Sequence, residues 1–391
     1  MGAAIFYIVI LFGTELRAMI LKNATIYGDD FIPRRADIAV EGEKIARIGE
    51  ALSGTGETLD FSGCTVIPGF IDIHTHGCAG ADTMDATEEA LRTMSECQAS
   101  HGVTSFCPTT MTLPYEELAA ALIAAKSYMG RETGAYIQGI NMEGPYISME
   151  KKGAQNPAYV RRPDFEEFEK LSALCPVKLV DVAPETEGAY DFADRACTIC
   201  TVSEAHTAAN YAQAQEGFRH GFTHATHLYN AMTALTTREA GVVGAVLENS
   251  GVTAELICDG FHIAPPVLRV TFQALGKDRA CVVSDSMKAA GLPDGDYELG
   301  GQPVYVRDGK ALLKDGTIAA STSNIHEEFK NLIAFGIPFE TALRACTINP
   351  ARAIKADDTT GSIRVGKYAD LVVLDRENEI RAVFIKGVRR V

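Results

Sequence analysis

Apolar and polar positions change rhythm twice along this chain. From Met19 to about Cys64 they alternate in short runs, Met19–Tyr27, Asp37–Val40 and Lys44–Ile48, separated by glycines and charged turns. A period of two is the mark of half-buried strands, because successive side chains point to opposite faces. The closing segment returns to that style in Ser362–Val365, Asp370–Leu374 and Arg381–Ile385. Two β-rich ends around a different middle predict one small β-sandwich domain built from residues 19–67 and 355–391.

The middle alternates apolar runs with amphipathic stretches. The runs are Gly69–His74, Val103–Pro108, Ala135–Glu143 and Val177–Pro184, followed by Thr201–His206, Thr223–His227, Ala254–Asp259 and Cys281–Asp285. Between them lie helical patterns such as Glu88–Ser100, Tyr115–Tyr128, Phe165–Ala173 and Ala208–Arg219. Strands alternating with helices imply parallel pairing through right-handed crossovers, and eight such units close a TIM-type (β/α)₈ barrel. The expected fold is therefore α/β, with the barrel over residues 68–354. Asp294–Ile318 is rich in Gly and Asp and reads as hairpins inserted before two closing helices.

The chain has 391 residues, more than one ordinary core holds, which agrees with a large domain and a smaller one. Hydrophobic residues at 47% and charged residues at 22% exclude a disordered or fibrous chain. Thirty-six basic against 51 acidic residues leave a net charge of −15. That field repels DNA, RNA and anionic lipid, so no nucleic acid and no membrane surface is expected as partner. An anionic substrate needs a local positive site. The ten cysteines are scattered singly, and Cys197 and Cys200 lack a second pair at zinc-finger spacing, so they read as filling at a helix-to-strand junction. A reducing cytoplasm is the simpler home. Ala3–Phe12 is an apolar run of ten, too short to span a bilayer and without a basic leader or cleavage site. Residues 1–18 are read as an extension without function preceding a start at Met19, a membrane anchor being the alternative.

In such a barrel the active site forms at the C-terminal ends of the strands. Strand one ends in His74-Thr75-His76, strand three in Glu143, strand five in His206, strand six in His227 and strand eight in Asp285. His-x-His on a strand puts both imidazoles on one face. His74 with His76, and His206 with His227, can each chelate a divalent ion, and Glu143 has two oxygens with which to bridge them. A lone His-x-His says little; joined to one acid and two more histidines at successive strand ends it says much. Imidazole plus carboxylate suits zinc, iron, cobalt or manganese, with zinc or iron preferred and one or two ions per subunit. Asp285 reads as a ligand, a cap or a proton-transfer group, and its place at the eighth strand favours catalysis.

Together these segments resemble the amidohydrolase superfamily, and within it the N-acetylglucosamine-6-phosphate deacetylases. Pro68-Gly69-Phe70-Ile71-Asp72-Ile73-His74-Thr75-His76 is similar to the superfamily opening. Asn141-Met142-Glu143-Gly144-Pro145-Tyr146 with Lys151-Lys152-Gly153-Ala154, and Ala225-Thr226-His227-Leu228-Tyr229-Asn230-Ala231-Met232, resemble the deacetylase strings, the second being the most specific. Cys258–His262 and Thr347–Ala351 also fit, and the resemblance runs from about Met19 to Val391.

The resemblance implies hydrolysis of the acetamide of N-acetylglucosamine 6-phosphate to glucosamine 6-phosphate and acetate. It makes Glu143, His206 and His227 the main metal ligands and Asp285 the general base and then acid. It gives His262 a contact to the sugar, and Arg238 a phosphate in a neighbouring subunit's site, hence a homodimer. A guanidinium fork matches a phosphate, although a solvated loop arginine looks the same in sequence. Asn230 and the backbone of Ala231 are weaker phosphate candidates, and Ala154 and Gln155 belong to the substrate-binding set. Some relatives lack the strand-one histidines; both are present here, which favours two metals. Lys178 sits at the start of strand four, too far from the rim to act as the carboxylated bridge of other superfamily members, and Gln155 stands where some relatives carry histidine. Two other readings stay open: a hydrolase of another amide (N-acyl-amino-acid or cyclic), and a catalytically dead barrel serving as a scaffold.

Overall fold

The computed structural model describes residues 18–54 and 56–391, so the expected extension lies outside the described residues except for Ala18. Each of the eight apolar runs of the middle overlaps a parallel strand, and helices alternate with them. Phe70–Thr75 pairs with Val103–Pro108, which pairs with Tyr136–Ile137. A second parallel sheet runs in sequence order through Ile140–Tyr146, Val177–Val182, Thr201–Glu204, Phe222–Ala225, Thr253–Leu256 and Ala280–Val282.

The third run, expected as one strand, is thus split. Gly139 takes φ 146°, a conformation closed to other residues, and a Cβ there would stand 2.6 Å from the carbonyl oxygen of Pro176. The two sheets meet at a parallel bridge between Thr109 and Asn141. At their far ends the Asp285 N–H donates to the His74 carbonyl at 2.9 Å.

Helices Glu88–Ser100 and Tyr115–Tyr128 fall where the apolar period puts them. The helix expected from Ala208 begins at Tyr211, because Asn210 and Gln213 form a reciprocal capping box that fixes the start. The segment after the eighth strand is an antiparallel sheet of four strands, Gly295–Leu299, Gln302–Arg307, Lys310–Leu312 and Ile318–Ala320. Three helices follow it rather than two, Ile325–Ala334, Phe339–Cys346 and Ile348–Ala353. Thr347, at φ −135° and ψ −83°, breaks the last pair, and Pro350 is tolerated in the first turn of the short final helix.

Both chain ends join one sheet. Thr65–Pro68 lies between Ala18–Tyr27 and Leu371–Leu374, and pairs antiparallel with the latter. Leu21, Ile26, Ile38, Val66, Leu371 and Phe384 form an apolar cluster of their own beneath it. Ser362–Val365, expected as a strand, contributes only a bridge from Ile363 to Gly28. Its side chains are taken up otherwise: the Ser362 hydroxyl donates to Asp29 and accepts from the buried Lys367 ammonium. Cys197 caps the helix Ala189–Ala196 and Cys200 is buried just before Thr201–Glu204, so this pair sits at a helix-to-strand junction. Among the described residues no helix is long and apolar enough to cross a membrane.

Candidate active site and metal centre

His74 is the last residue but one of its strand, and His76 follows the strand's end. Glu143 stands within Ile140–Tyr146, where the pairing register shifts. His206, His227 and Asp285 come just after the last paired residues of their strands and take φ of 43°, 33° and 44°. Non-glycine residues are rare in this left-handed region, and such strain gathers at functional sites. The sequence reading ends these three strands at the functional residues themselves. The ladders stop earlier, since a left-handed residue cannot continue one.

The result is a buried cluster around Glu143. Its Oε1 is 3.0 Å from Nε2 of His206, 3.0 Å from Nε2 of His227 and 3.6 Å from Nε2 of His74. Its Oε2 is 3.2 Å from Nε2 of His76. Asp285 Oδ1 lies 3.5 Å from His74 Nε2 and 3.4 Å from His76 Nε2. Two sets of ligand atoms therefore share one carboxylate, His74–His76–Glu143 and Glu143–His206–His227.

Hydrogen bonding decides what these nitrogens offer. His206 Nδ1 lies 2.9 Å from the Lys151 carbonyl, which can only accept, so that nitrogen carries the proton and Nε2 has a free lone pair in the neutral ring. His74 Nδ1 lies 2.9 Å from Glu255 Oε2, and His74 Nε2 is buried without a hydrogen-bond partner. An unpartnered buried polar atom costs about 1–3 kcal/mol. Nε2 of His206 and Nε2 of His227 lie only 3.1 Å apart and face the same Glu143 oxygen, an arrangement that a cation between them would hold together. The donor set fits a divalent ion.

Charge balance agrees. Burial alone would raise the Glu143 carboxyl, but His206, His227 and His76 hold it well below the carboxylate range. Burial alone would lower His76, yet Asp285 and Glu143 push it up to about 10. Against burial, His74 and His76 lower Asp285. Protons on these rings supply the positive charge that a metal ion supplies on binding, when it displaces them.

The cluster floors a cavity of about 400 Å³. Of the expected substrate residues, Ala154, Gln155, Asn230, Ala231 and His262 line it together with Asp285. Both ends of the Gln155 amide also have protein partners: Oε1 accepts from the Thr112 N–H at 2.7 Å and Nε2 donates to Glu143. His262 Nδ1 is 2.7 Å from Asp259 Oδ2, which points Nε2 away from that carboxylate. Arg238 is exposed, and the wall of its own chain's cavity is made by other residues.

Sequence reasoning missed Glu255. Besides His74, it accepts from the His227 N–H at 3.2 Å and lies 3.3 Å from His224 Nε2, tying three strand ends together. The signal was there: Glu255 is the one charged residue in the apolar strand Thr253–Leu256. It missed Thr317–Ala320 as well, the inserted segment that forms one wall of the cavity.

Replacing Glu255 by Gln is expected to weaken metal binding at the His74–His76 group by roughly 10–100-fold, the usual cost of losing a carboxylate behind a ligating imidazole. Titration of metal-free protein followed by elemental analysis reads this directly, and an unchanged affinity would show that the His74 orientation is fixed by packing alone.

Comparison with known proteins places these features. The family model described as "Amidohydrolase family" matches residues 65–390. The chain is 33% identical over 381 residues to N-acetylglucosamine-6-phosphate deacetylase of Bacillus subtilis (strain 168), covering 95% of this chain and 96% of that one. It is 34% identical to N-acetylgalactosamine-6-phosphate deacetylase of Escherichia coli O157:H7, covering 82% and 86%. The solved structure of N-acetyl-D-glucosamine-6-phosphate deacetylase from Mycobacterium smegmatis matches with a TM-score of 0.88 at 30% identity, covering 96% of this chain and 100% of that one.

Proposed function

Since the chain belongs to the amidohydrolase family, we propose that it hydrolyses the acetamide of N-acetyl-D-glucosamine 6-phosphate to D-glucosamine 6-phosphate and acetate. The observation that carries the reading is the double donor set sharing Glu143, with Asp285 beside it at the floor of a cavity of about 400 Å³. Glu143, His206 and His227 would hold the main ion, and His74 and His76 with Glu143 a second, zinc or iron by donor chemistry. A divalent ion there lowers the pKa of water and polarises an amide carbonyl.

The residues of the chain do the rest. Asp285 takes the proton of the attacking water and returns it to the amine nitrogen as the C–N bond breaks. His262, Asn230 and the Ala231 backbone hold the sugar phosphate, with Gln155 and Ala154 at the acetyl end. Arg238 serves the phosphate of the neighbouring subunit in a homodimer. Its exposure, away from its own chain's cavity, supports that role. Residues 68–354 form the catalytic (β/α)₈ barrel; the Asp285–His74 bond and the Thr109–Asn141 bridge support closure at its two seams. Residues 19–67 and 355–391 form the β-sandwich domain, supported by the shared sheet and its separate apolar cluster. The protein acts in the cytoplasm.

The reading predicts rapid acetate release from the 6-phosphate, abolished by a chelator and restored by divalent metal, with little from unphosphorylated N-acetylglucosamine. Arg238→Ala should reduce kcat/KM for the phosphorylated sugar by about 10–100-fold, mostly through KM, as expected for losing a charged hydrogen bond of about 1.5–3 kcal/mol. Equal rates on both sugars would remove the phosphate role. The galactosamine-named relative makes the galacto epimer the second substrate to assay.

A further inference from the structure

One cation of the substrate cavity has no part in the roles above. Glu143, Asp285 and the exposed Glu150 bring carboxylates to the cavity, and Lys151 is the one lysine or arginine among the described residues that line it. Its main chain is held on both sides. The Ser148 N–H donates to the His206 carbonyl at 2.9 Å and the Lys151 N–H to the Ser148 carbonyl at 3.2 Å. The Lys151 carbonyl accepts in turn from Nδ1 of His206 at 2.9 Å. A Cβ on Gly153 would stand 3.3 Å from Cε1 of His206 and 3.8 Å from Cβ of Ala231. Residues 151–153 thus lie against the His206 ring and reach the Asn230–Ala231 segment. The two lysine side chains differ. Lys152 donates from its ammonium to the Gly153 carbonyl at 3.1 Å, whereas the half-buried Lys151 has neither an ion pair nor a side-chain hydrogen bond among the described residues.

We propose that Lys151 is a further phosphate-binding residue, one that each subunit supplies to its own cavity; the inference rests on the sugar-phosphate deacetylase reading of this site. A chain with net charge −15 disfavours a phosphate dianion, so a local cation must receive it. In that reading Arg238 comes from the neighbouring subunit, which leaves Lys151 as the cation the cavity holds by itself. An ammonium on a four-carbon stem is a compact charge with three donors and suits a single phosphate oxygen, where a guanidinium fork takes two. Its position beside Asn230 and Ala231 puts it with the other residues proposed for the phosphate. One short loop then serves both ends of the substrate. The Lys151 carbonyl orients His206 at the metal centre, where the acetamide reacts, and the ammonium holds the phosphate.

The test uses the full-length protein with its metal bound and the variant Lys151→Met, which removes the charge and keeps an unbranched stem and the carbonyl on His206. Acetate release from N-acetylglucosamine 6-phosphate gives kcat and KM, and calorimetry gives the binding of glucosamine 6-phosphate. The expected result is a rise in KM of about tenfold with kcat within about twofold, and a matching loss of glucosamine 6-phosphate affinity. Lys151→Arg should recover most of both, and metal content by elemental analysis should be that of the wild type. An unchanged KM would overturn the proposal. So would a fall in kcat together with metal content, which would assign Lys151 to the support of His206 instead. Should the wild type release no acetate at all, the deacetylase reading fails and the calorimetry decides alone. Glucosamine 6-phosphate binding that weakens in Lys151→Met and returns in Lys151→Arg sustains the phosphate role, and any other result overturns it.

Discussion

Asp285→Asn should lower kcat for acetate release by about 10²–10⁴-fold, the range that one positioned general acid–base group supplies, while KM and metal content stay close to wild type. Asparagine is the informative choice. Asp285 sits at φ 44°, a region Asn tolerates as well as Asp does, so the backbone need not move. The main chain is held independently, by its N–H to the His74 carbonyl at 2.9 Å and by the Ser321 N–H to its own carbonyl at 2.7 Å. What the amide cannot do is accept the proton of water and return it. Steady-state kinetics with elemental analysis and thermal unfolding separate the outcomes. A variant with full metal, an unchanged melting temperature and near-normal kcat would show that another group moves the proton.

Glu143→Gln should have the second large effect, through metal loading. Both donor sets depend on this one carboxylate: Oε1 faces His206, His227 and His74, and Oε2 faces His76. Glutamine keeps the length but removes the charge and puts an N–H₂ donor among imidazole lone pairs. Metal affinity should fall at both sets by on the order of a hundredfold or more, beyond what an outer partner such as Glu255 contributes. Acetate release should fall with it. His76→Ala is the contrast, for it removes a ligand from one set and leaves Glu143–His206–His227 whole. Equal metal loss in the two variants would mean that the sets are not joined through Glu143.

Most of what places the candidate site was readable in the chain, since it depends on local periodicity. The run Cys281–Asp285 is apolar for three residues and ends at Asp285, and four other runs lead in the same way to His74 and His76, Glu143, His206 and His227. What could not be read depends on distant partners or on backbone conformation. Glu255 meets His74 across 181 positions of sequence, and nothing near either residue announces the contact. The left-handed turns at His206 and His227 have no residue signature, because histidine is only an occasional occupant of that region. Ser362–Val365 alternates like a strand, yet its backbone turns where Ser362 and Lys367 bond to each other and to Asp29 and Thr360. Arg238 is exposed, and nothing in its neighbours Thr237 and Glu239 distinguishes it from an ordinary loop cation.

The sheet made from both chain ends also dictates an order of events during synthesis. Thr65–Pro68 has one neighbour, Ala18–Tyr27, close by in sequence, and the other, Leu371–Leu374, roughly 300 positions later. At about 5–20 residues per second the ribosome leaves that edge without its final partner for roughly 15–60 s. For that interval an apolar strand with unpaired backbone groups stands open, the form most prone to pairing with another copy. Folding of the N-terminal sheet therefore waits for the C-terminus. Truncation after Cys346 should yield a chain that aggregates during translation even though the histidines and acids of the candidate metal centre all precede the cut.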